Sequence, residues 1–372
     1  MSKIGKFLLF MAIVIGGFFL GYWLASNGIL SHFADISLLD IAVIIWVLAC
    51  SFLLQIVLHE GGHVLAGWLV GMDLILFRLG SHVWYRSPEG WQHGREYVDG
   101  IGGQALMVPG QSSRPGSRPA YILYLLGGVA MNFILGALLI VWAYTSSRPW
   151  NLGLLIGGAT AWLLGLVNLL PTIPYSDGAH VWQLLKDPKA PSELFRAMKL
   201  QEQLNQGTPY HQLAADYPFT LPLSRDHITN TSNALVKAHG LYESGQFEVA
   251  SSFLKQLCQE KDQAIPIHQV AIDELYLGTL LMEVVTGQVK FTDVQTSIEA
   301  ILDNKTFRKR LKQPTASNYR IRALLAIVRD KDWDQARQAL ESGKDLIAQC
   351  GSTTDCRFEA LAYRRIQDYL DK

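Results

Sequence analysis

His59, Glu60 and His63 form a sequence of the H-E-x-x-H type within a strongly apolar part of the chain. Two histidines at positions i and i+4 lie on one face of a helix, where both imidazoles can reach one metal ion. A glutamate beside the first histidine is placed to act on a metal-bound water, as in zinc peptidases. The spacing therefore predicts a metal-dependent hydrolase. The alternative is a pair of helix-packing histidines with a buried glutamate and no metal, which leaves a costly unpaired carboxylate.

The position of this motif predicts an active site inside a membrane. Residues 41–58, which precede it, contain no charged side chain, and residues 64–70, which follow it, are apolar. Ionisable residues within a membrane span are energetically costly and usually mark a functional site.

A candidate for a third metal ligand follows the last apolar segment. A catalytic zinc is typically held by three protein ligands and keeps one position open for water. Asp177 is the only acid in the stretch from Asn168 to Gly178, where Pro171 and Pro174 end the helix. Irregular backbone is tolerated at membrane depth only where it is buried in protein or lines a wet cavity. On a flexible, glycine-flanked turn, Asp177 can reach a metal on the earlier helix; the alternative is a solvated cap at an ordinary helix end.

The H-E-x-x-H sequence in one apolar helix, followed by N-L-L-P and D-G in a later one, resembles the site-2 protease family of intramembrane zinc metalloproteases. The resemblance covers residues 41–185. It implies a core of three transmembrane helices that cleaves membrane-embedded or membrane-proximal substrates. It also implies that His59, His63 and Asp177 are zinc ligands and that Glu60 is the general base.

The chain departs from the family pattern at three places. The intervening helix of that family often carries G-P-x-x-N, and here Gly128 and Asn132 are kept while the proline is lost. Two residues rather than one separate Pro174 from Asp177, and Ala179 replaces a frequent second glycine.

Two asparagines are candidate substrate-binding residues, Asn132 and Asn168. For Asn132 two roles are open. It can donate a hydrogen bond to the substrate backbone, or it can be a polar contact between helices.

The charged residues divide the chain into two parts. Residues 1–189 contain 10 Lys and Arg and 9 Asp and Glu, whereas residues 190–372 contain 22 and 23. This contrast predicts a transmembrane domain followed by a soluble one. Four apolar segments are long enough to span a bilayer, at residues 7–24, 41–70, 121–144 and 152–170. The first has the alternative of a signal peptide, although its apolar core is long and no small-residue cleavage site follows. The zero net charge gives no indication of nucleic-acid binding.

Positive charges indicate the orientation of the spans. One predicted side of the membrane carries Lys3, Lys6, Arg78, Arg86, Arg95, Arg114, Arg118, Lys186 and Lys189. The other side carries only Arg148. Because such residues concentrate in cytosolic loops, the N-terminus, the loop of residues 72–120 and the C-terminal domain are expected in the cytosol. The chain is then a multi-pass protein of the cell membrane, with His63 about 10 Å of helix from the cytosolic end of its span.

The loop of residues 72–120 contains runs that are typical of β-strands. Residues 74–79 and 82–86 are apolar, and a turn signal at residues 87–90 precedes a third run, so a small β-hairpin sheet is predicted at the membrane surface. Two roles are open: pairing with an unwound substrate as an added strand, or anchoring by Trp and Tyr at the interface. The Gly-, Pro- and Ser-rich residues 104–117 predict a mobile segment.

Residues 190–372 are predicted to be helical. Residues 234–254, with Ala250, resemble the tetratricopeptide pattern of small residues where paired helices touch. Residues 324–340, with Ala336, repeat this scheme, and a third pair of helices is predicted between the two. Such modules bind partner proteins through a concave face. The alternative is a domain that only stabilises the protease.

Other residues with metal-binding potential are interpreted without a metal. The histidines in question are His82, His93 and His180, and each is predicted to be a surface or packing residue. The four cysteines are Cys50, Cys258, Cys350 and Cys356, and no two of them form a C-x-x-C pair. Cys350 and Cys356 can lie close together, but free thiols in a reducing cytosol fit better than a disulfide framework.

The predicted fold is an all-α multi-pass membrane protein with four transmembrane helices and a small β-hairpin loop, followed by an all-α soluble domain of helical hairpins. The predicted function is a Zn²⁺-dependent endopeptidase that cleaves single-pass or membrane-anchored proteins in or near the bilayer. The alternative is a non-catalytic membrane protein that keeps the metal site and acts through its helical domain. A transporter with a structural metal is disfavoured by the few spans and by the open three-ligand set.

Overall fold

A computed structural model describes residues 37–96, 102–110, 117–147, 149–173, 176–223 and 228–372. Contacts between Cα atoms divide the chain into two compact units. The membrane unit comprises Met1–Val70 and Ser117–Pro188, and the sheet–helix unit comprises Gly71–Gly116 and Lys189–Lys372. This grouping differs from a division at residue 189, because most of the predicted loop belongs with the C-terminal helices. The predicted span of residues 7–24 lies outside the described residues.

Three helices of the membrane unit are long and apolar enough to cross a membrane. The helices of this unit, α1 to α4, are Leu38–Leu69, Arg118–Thr145, Trp150–Leu169 and Asp177–Lys186, of which the first three are the candidate spans. These three confirm the second, third and fourth predicted segments as membrane-length helices. With 32 residues, α1 is about 48 Å long, which exceeds the hydrocarbon layer of about 30 Å.

Local sequence explains where these helices begin and end. Ser37 and Asp40 form a capping box at the start of α1, in which each side chain accepts from the other's backbone N–H, at 2.8 and 3.2 Å. Helix α3 ends at Leu169, two residues before Pro171, which has no N–H to continue the ladder. The end of α3 is therefore fixed next to the turn that leads to Asp177.

Small residues allow the spanning helices to approach closely. Gly62 of α1 and Gly127 of α2 face each other, and a Cβ on either one would overlap the other's carbonyl oxygen. A Cβ on Gly158 of α3 would lie 2.8 Å from the carbonyl oxygen of Gly136 of α2. In lipid, where no hydrophobic effect drives helices together, such backbone proximity provides the packing energy. The crossing of α1 and α2 at Gly62 lies beside His63 and so positions it.

The chain after α1 forms a four-stranded antiparallel sheet rather than a small hairpin. Its strands β1 to β4 are Met72–Leu79, His82–Ser87, Gly90–Arg95 and Gly103–Pro109, in the order β3-β2-β1-β4. Strands β1 to β3 confirm the three predicted β-runs. Strand β4 corrects the prediction of a mobile segment beginning at residue 104: Ala105–Val108 is an apolar run that pairs with β1, with Leu74 opposite Met107. Residues 111–116 of that segment lie outside the described residues.

One face of the sheet is buried against the C-terminal helices. Val83 and Tyr85 of β2 are 0% and 3% exposed, whereas Trp84 between them is 37% exposed. Asn205, at the end of the helix Ala190–Asn205, donates from Nδ2 to the carbonyl oxygen of Ile75 at 2.9 Å. This alternation along β2 is the pattern of a sheet with one covered face.

The C-terminal part of the sheet–helix unit is helical, as predicted. Its helices α5 to α14 are Ala190–Asn205, Tyr210–Asp216, Ile228–Glu243, Phe247–Glu260, Pro266–Val285, Phe291–Leu302, Lys305–Leu311, Ala316–Leu325, Trp333–Lys344 and Thr353–Leu370. The two clearest predicted hairpins are α7 with α8 and α12 with α13. The alanines that identified them, Ala250 and Ala336, are both fully buried. Gly245 joins α7 to α8 with a φ of 74°, a conformation that favours glycine.

A buried ion pair stabilises these helices and gives a testable prediction. Arg320 binds Glu359 through Nε–Oε2 at 2.8 Å and Nη2–Oε1 at 3.0 Å, with both residues buried. We expect Glu359→Leu to lower the free energy of unfolding by about 3–5 kcal/mol, because Arg320 is left as an uncompensated buried charge. Denaturant unfolding of the full chain in detergent, followed by circular dichroism, measures this. The double variant Arg320→Met, Glu359→Leu is expected near wild type, and an equal loss in it would contradict the explanation.

Candidate metal centre

The three predicted ligands converge in the membrane unit. Nε2 of His59 lies 3.3 Å from Oδ2 of Asp177, and Nε2 of His63 lies 3.4 Å from Oδ1. The two Nε2 atoms are 3.3 Å apart. Helix α1 presents both imidazoles from adjacent turns, and Asp177 arrives as the first residue of α4. Residues distant in the sequence therefore form one compact donor set.

These separations fit one tetrahedral ion. Donor atoms about 2.0–2.1 Å from a tetrahedral Zn²⁺ lie about 3.3–3.4 Å from one another. All the candidate ligand atoms of this group lie within 4.8 Å of one another. Asp177 Oδ2 is buried, and each carboxylate oxygen of Asp177 faces a histidine nitrogen, as ligands around one cation do. Two nitrogens and a carboxylate oxygen are ligands that zinc accepts, and three of them leave a fourth position open.

A backbone carbonyl orients His63. Its Nδ1 lies 2.9 Å from the carbonyl oxygen of Tyr124 on α2. A carbonyl oxygen only accepts, so Nδ1 carries the proton and Nε2 presents its lone pair toward Asp177 and His59. A carbonyl partner of this kind fixes both the tautomer and the ring orientation of a ligating histidine.

The side chain of Asn132 on α2 contacts the His59 ring. Nδ2 of Asn132 lies 3.2 Å from Nδ1 of His59, and Oδ1 of Asn132 is buried without a partner. The amide oxygen and nitrogen can be exchanged by a flip of the group. With Oδ1 facing the ring, it accepts from Nδ1–H, which satisfies the oxygen and leaves Nε2 of His59 free to bind a metal. The structure thus brings Asn132 to the site as a contact between α2 and α1, while its hydrogen bond to substrate stays a prediction.

Glu60 and Asn168 occupy different positions relative to the centre. Glu60 follows His59 directly on α1 and is 6% exposed. The chain therefore has a buried carboxylate one residue along α1 from the first donor. Asn168 is partly buried in the last turn of α3, and its contact with substrate also stays a prediction.

Asp177 is held by a helix rather than by the flexible turn that the sequence suggested. Ser176 caps α4 by accepting from the N–H of Ala179 at 3.1 Å, and its hydroxyl is also 2.8 Å from the carbonyl oxygen of Leu170. A Cβ on Gly178 would overlap the backbone of Leu169 at the end of α3. The reason for the difference is the Ser176 cap, which starts helix α4 at Asp177. The Asp177 side chain is 13% exposed, so it is a largely enclosed ligand candidate rather than a solvated cap.

Gly128 of α2 packs directly against the two imidazoles. A Cβ at this position would lie 2.5 Å from Nε2 of His63 and 2.8 Å from Cε1 of His59. The sequence identified Gly128 by its place in a family pattern, and the structure gives the physical reason for it. Only a residue without a side chain lets α2 approach the histidines this closely.

We expect Gly128→Ala to lower the metal affinity by about 10–100-fold, because the added methyl group displaces the histidine rings. Gly61→Ala is the matched control, since a Cβ at Gly61 meets nothing within 4 Å. Metal titration of both variants in detergent measures the difference. Equal metal affinities for the two variants would show that the close packing of Gly128 on the histidine rings does not position the ligands.

Among the described residues, the remaining histidines discussed above are not members of this metal-capable group. His82 and His93 are neighbours on β2 and β3, with Nδ1 of the first 3.0 Å from Nε2 of the second. Both belong to the sheet–helix unit. His180 follows Asp177 by one turn of α4, and among the described residues the metal-capable group comprises only His59, His63 and Asp177.

Comparisons with protein-family models, curated proteins and solved structures gave no match to this chain. The functional argument therefore starts from the geometry of the donor set.

Proposed function

We propose that this chain is an intramembrane zinc metalloendopeptidase. The observation that supports it most strongly is the convergence of His59, His63 and Asp177 at tetrahedral spacing. The residue after His59 is the buried Glu60. The helices that carry the histidines and Asn132 are long and apolar enough to cross a membrane. Three protein ligands with an open position are typical of catalytic rather than structural zinc sites. The resemblance to site-2 proteases in the same residues supports the same reaction.

Each residue of the site has a separate role in the proposed peptide hydrolysis. Bound Zn²⁺ would supply Lewis acidity, which makes a water nucleophilic near neutral pH and polarises the scissile carbonyl. Glu60 accepts the proton that the attacking water loses and delivers it to the amine of the leaving peptide. Tyr124 and Asn132 keep the imidazoles of His63 and His59 in their orientation through each cycle.

The proposed substrates are single-pass or membrane-anchored proteins cleaved within or near the bilayer. His63 lies six residues before the end of α1, about 9 Å along the helix axis. A site at this depth meets segments that lie in the membrane or at its surface. Asn132 and Asn168, at the site and at the end of α3, are the proposed contacts to the substrate backbone.

Cleavage can be tested directly on membranes. Membranes from cells that express the wild type or Glu60→Gln are incubated, and new protein N-termini are mapped by mass spectrometry. We expect termini within or beside membrane spans that form only with the wild type and disappear with a zinc chelator. Identical termini in both samples would overturn the proposal, and bound zinc without new termini would favour the non-catalytic alternative.

We propose further that the C-terminal helices face the cytosol and that the protein lies in the cell membrane. The distribution of lysines and arginines around the apolar segments supports this orientation. A chain whose native cysteines are replaced by serine, with a single Val249→Cys change at a 54% exposed position, provides the test. A membrane-impermeant maleimide should label it only after permeabilisation. Labelling of intact cells would reverse the topology.

A further inference from the structure

Two cysteines meet where the sheet contacts the last helix of the sheet–helix unit. Cys350 directly follows a short 3₁₀ turn, Ile347–Gln349, and Cys356 lies in the first turns of α14, whose N-cap is Ser352. The side chains of the two cysteines interact with each other, and the sulfur of Cys356 also interacts with the backbone of Cys350. Sγ of Cys356 is also 4.0 Å from the hydroxyl of Tyr85 on β2. Both cysteines are free and partly exposed.

The surroundings favour a thiolate at Cys356. The hydrogen bond from the Cys350 thiol, with smaller contributions from the Cys350 N–H and the Tyr85 hydroxyl, lowers the pKa of Cys356 to about 7 against the opposing effect of burial. Its place near a helix N-terminus acts in the same direction. The same hydrogen bond and burial raise the pKa of Cys350. The pair therefore contains one nucleophilic sulfur and one that remains a thiol, side by side.

Cys258 provides a contrast within the same unit. Burial raises its pKa to about 12. Within the described part of the chain, the groups that act on its thiol are Asp273 and Lys261 and include no other thiol, so Cys258 serves as an internal reference for reactivity.

We propose that Cys350 and Cys356 are a reversible redox site that forms an intramolecular disulfide with a hydroperoxide as the oxidant. This site is independent of the metal centre and of the proposed protease activity. The Cys356 thiolate attacks one peroxide oxygen and the O–O bond breaks. The leaving oxygen takes up a proton, which gives a sulfenic acid and an alcohol, or a sulfenic acid and water where the oxidant is hydrogen peroxide. The Cys350 sulfur then attacks the Cys356 sulfur, the S–O bond breaks, and the hydroxide leaves as water with the proton of Cys350. An external dithiol restores both thiols by exchange.

The disulfide would act on the contact between sheet and helices. The carbonyl oxygen of Cys350 packs so closely on Gly94 of β3 that a Cβ there would overlap it. Glu96 lies against Gly351, where a Cβ would be 2.8 Å from its Oε2. Drawing the Cys356 sulfur toward Cys350 removes it from the Tyr85 hydroxyl. Oxidation is thus expected to alter the packing of β2 and β3 on α14.

The test uses the full chain in detergent, exposed to hydrogen peroxide and then alkylated. We expect a peptide containing Cys350 and Cys356 whose mass is lower by two hydrogen atoms, and recovery of both thiols with dithiothreitol. Cys350→Ser should leave a sulfenic acid on Cys356 that dimedone captures, and Cys356→Ser should give neither product. Cys258→Ser is the control and should oxidise like the wild type. Intermolecular disulfides alone, or no disulfide, would overturn the proposal.

Alkylation kinetics of the unmodified protein keep the test independent of how the variants fold. At pH 7 we expect Cys356 to react at least about 100-fold faster than Cys258, since only its thiolate is substantially populated. The ionisable groups around the pair are Tyr85, Glu96, Tyr210, Asp355, Glu359 and Tyr363. The Cys356 rate should rise with pH and reach half of its maximum near pH 7, because its pKa lies at about 7. If the alkylation rates of Cys356 and Cys258 depended on pH in the same way, Cys356 would not be a thiolate at pH 7, and the proposal would be overturned.

Discussion

Replacing Glu60 with glutamine is expected to abolish peptide-bond cleavage while leaving the metal in place. Loss of one general base costs about 10²–10⁴ in rate, which corresponds to about 2.7–5.4 kcal/mol in activation free energy. The amide has nearly the same shape as the carboxylate, so the buried position of Glu60 tolerates it, but it cannot accept the proton of water. The rate of substrate cleavage by purified protein, measured at saturating zinc, tests the expectation.

Metal content decides how such a loss is interpreted. If Glu60→Gln retains about one zinc per chain and the thermal stability of the wild type, the lost step is proton transfer. Gly61→Ala is the matched control on the same turn of α1, because its Cβ meets open space, and it should cleave at the wild-type rate. Turnover by Glu60→Gln within a factor of about ten of wild type would remove Glu60 as the base.

The sequence predicted the donor set because its decisive signals are local. His59 and His63 follow from helical spacing alone, which the 3.6-residue period places on one face. Asp177 follows from being the only acid after a long apolar run, in a segment where a charge needs a partner. Each inference depends on a few neighbouring residues, and the structure brings all three together.

What the sequence did not predict depends on contacts between distant segments. The burial of Asp177 comes from the Ser176 cap and from Gly178 against the end of α3, and neither has a distinctive local pattern. Strand β4 was missed because glycines and prolines around it suggested a mobile segment, although its apolar run completes the sheet beside β1. Tertiary pairing overrides local propensity most readily in β-structure, where a strand is stabilised by its neighbour.

The sequence also did not predict that the sheet groups with the C-terminal helices, because this too depends on contacts between distant segments. Aromatic residues in the loop suggested an interface with lipid. In the structure, buried and exposed side chains alternate along β2, and Val83 and Tyr85 lie on the buried face. Alternation of apolar and polar residues along a strand shows that one face is covered, but it does not identify the element that covers it. Asn205, which donates to the β1 backbone, belongs to a helix more than a hundred residues away. The exposed face with Trp84 remains available for either role that the sequence left open.

Removing any one of the three metal ligands should abolish tight zinc binding. We expect His59→Ala, His63→Ala and Asp177→Asn each to reduce the affinity by more than about 100-fold, because even groups that only orient a ligand typically change it by 10–100-fold. Asp177→Asn is the most informative change, since it keeps the shape of the side chain and removes only its charge. Zinc content after gel filtration, together with competition against a chelator, gives both the stoichiometry and the affinity.

A graded series separates ligands from the residues that orient them. Asn132→Ala leaves the three donors in place and removes the partner of Nδ1 on His59, so its loss of affinity should lie within the 10–100-fold range. His82→Ala, in the sheet, should bind zinc like the wild type. Full zinc in Asp177→Asn would exclude Asp177 as a ligand and leave two histidines, too few for a catalytic site. If Asn132→Ala instead lost zinc as completely as His59→Ala, Asn132 would have to be counted with the ligands, and the orientation of the His59 ring would need another cause.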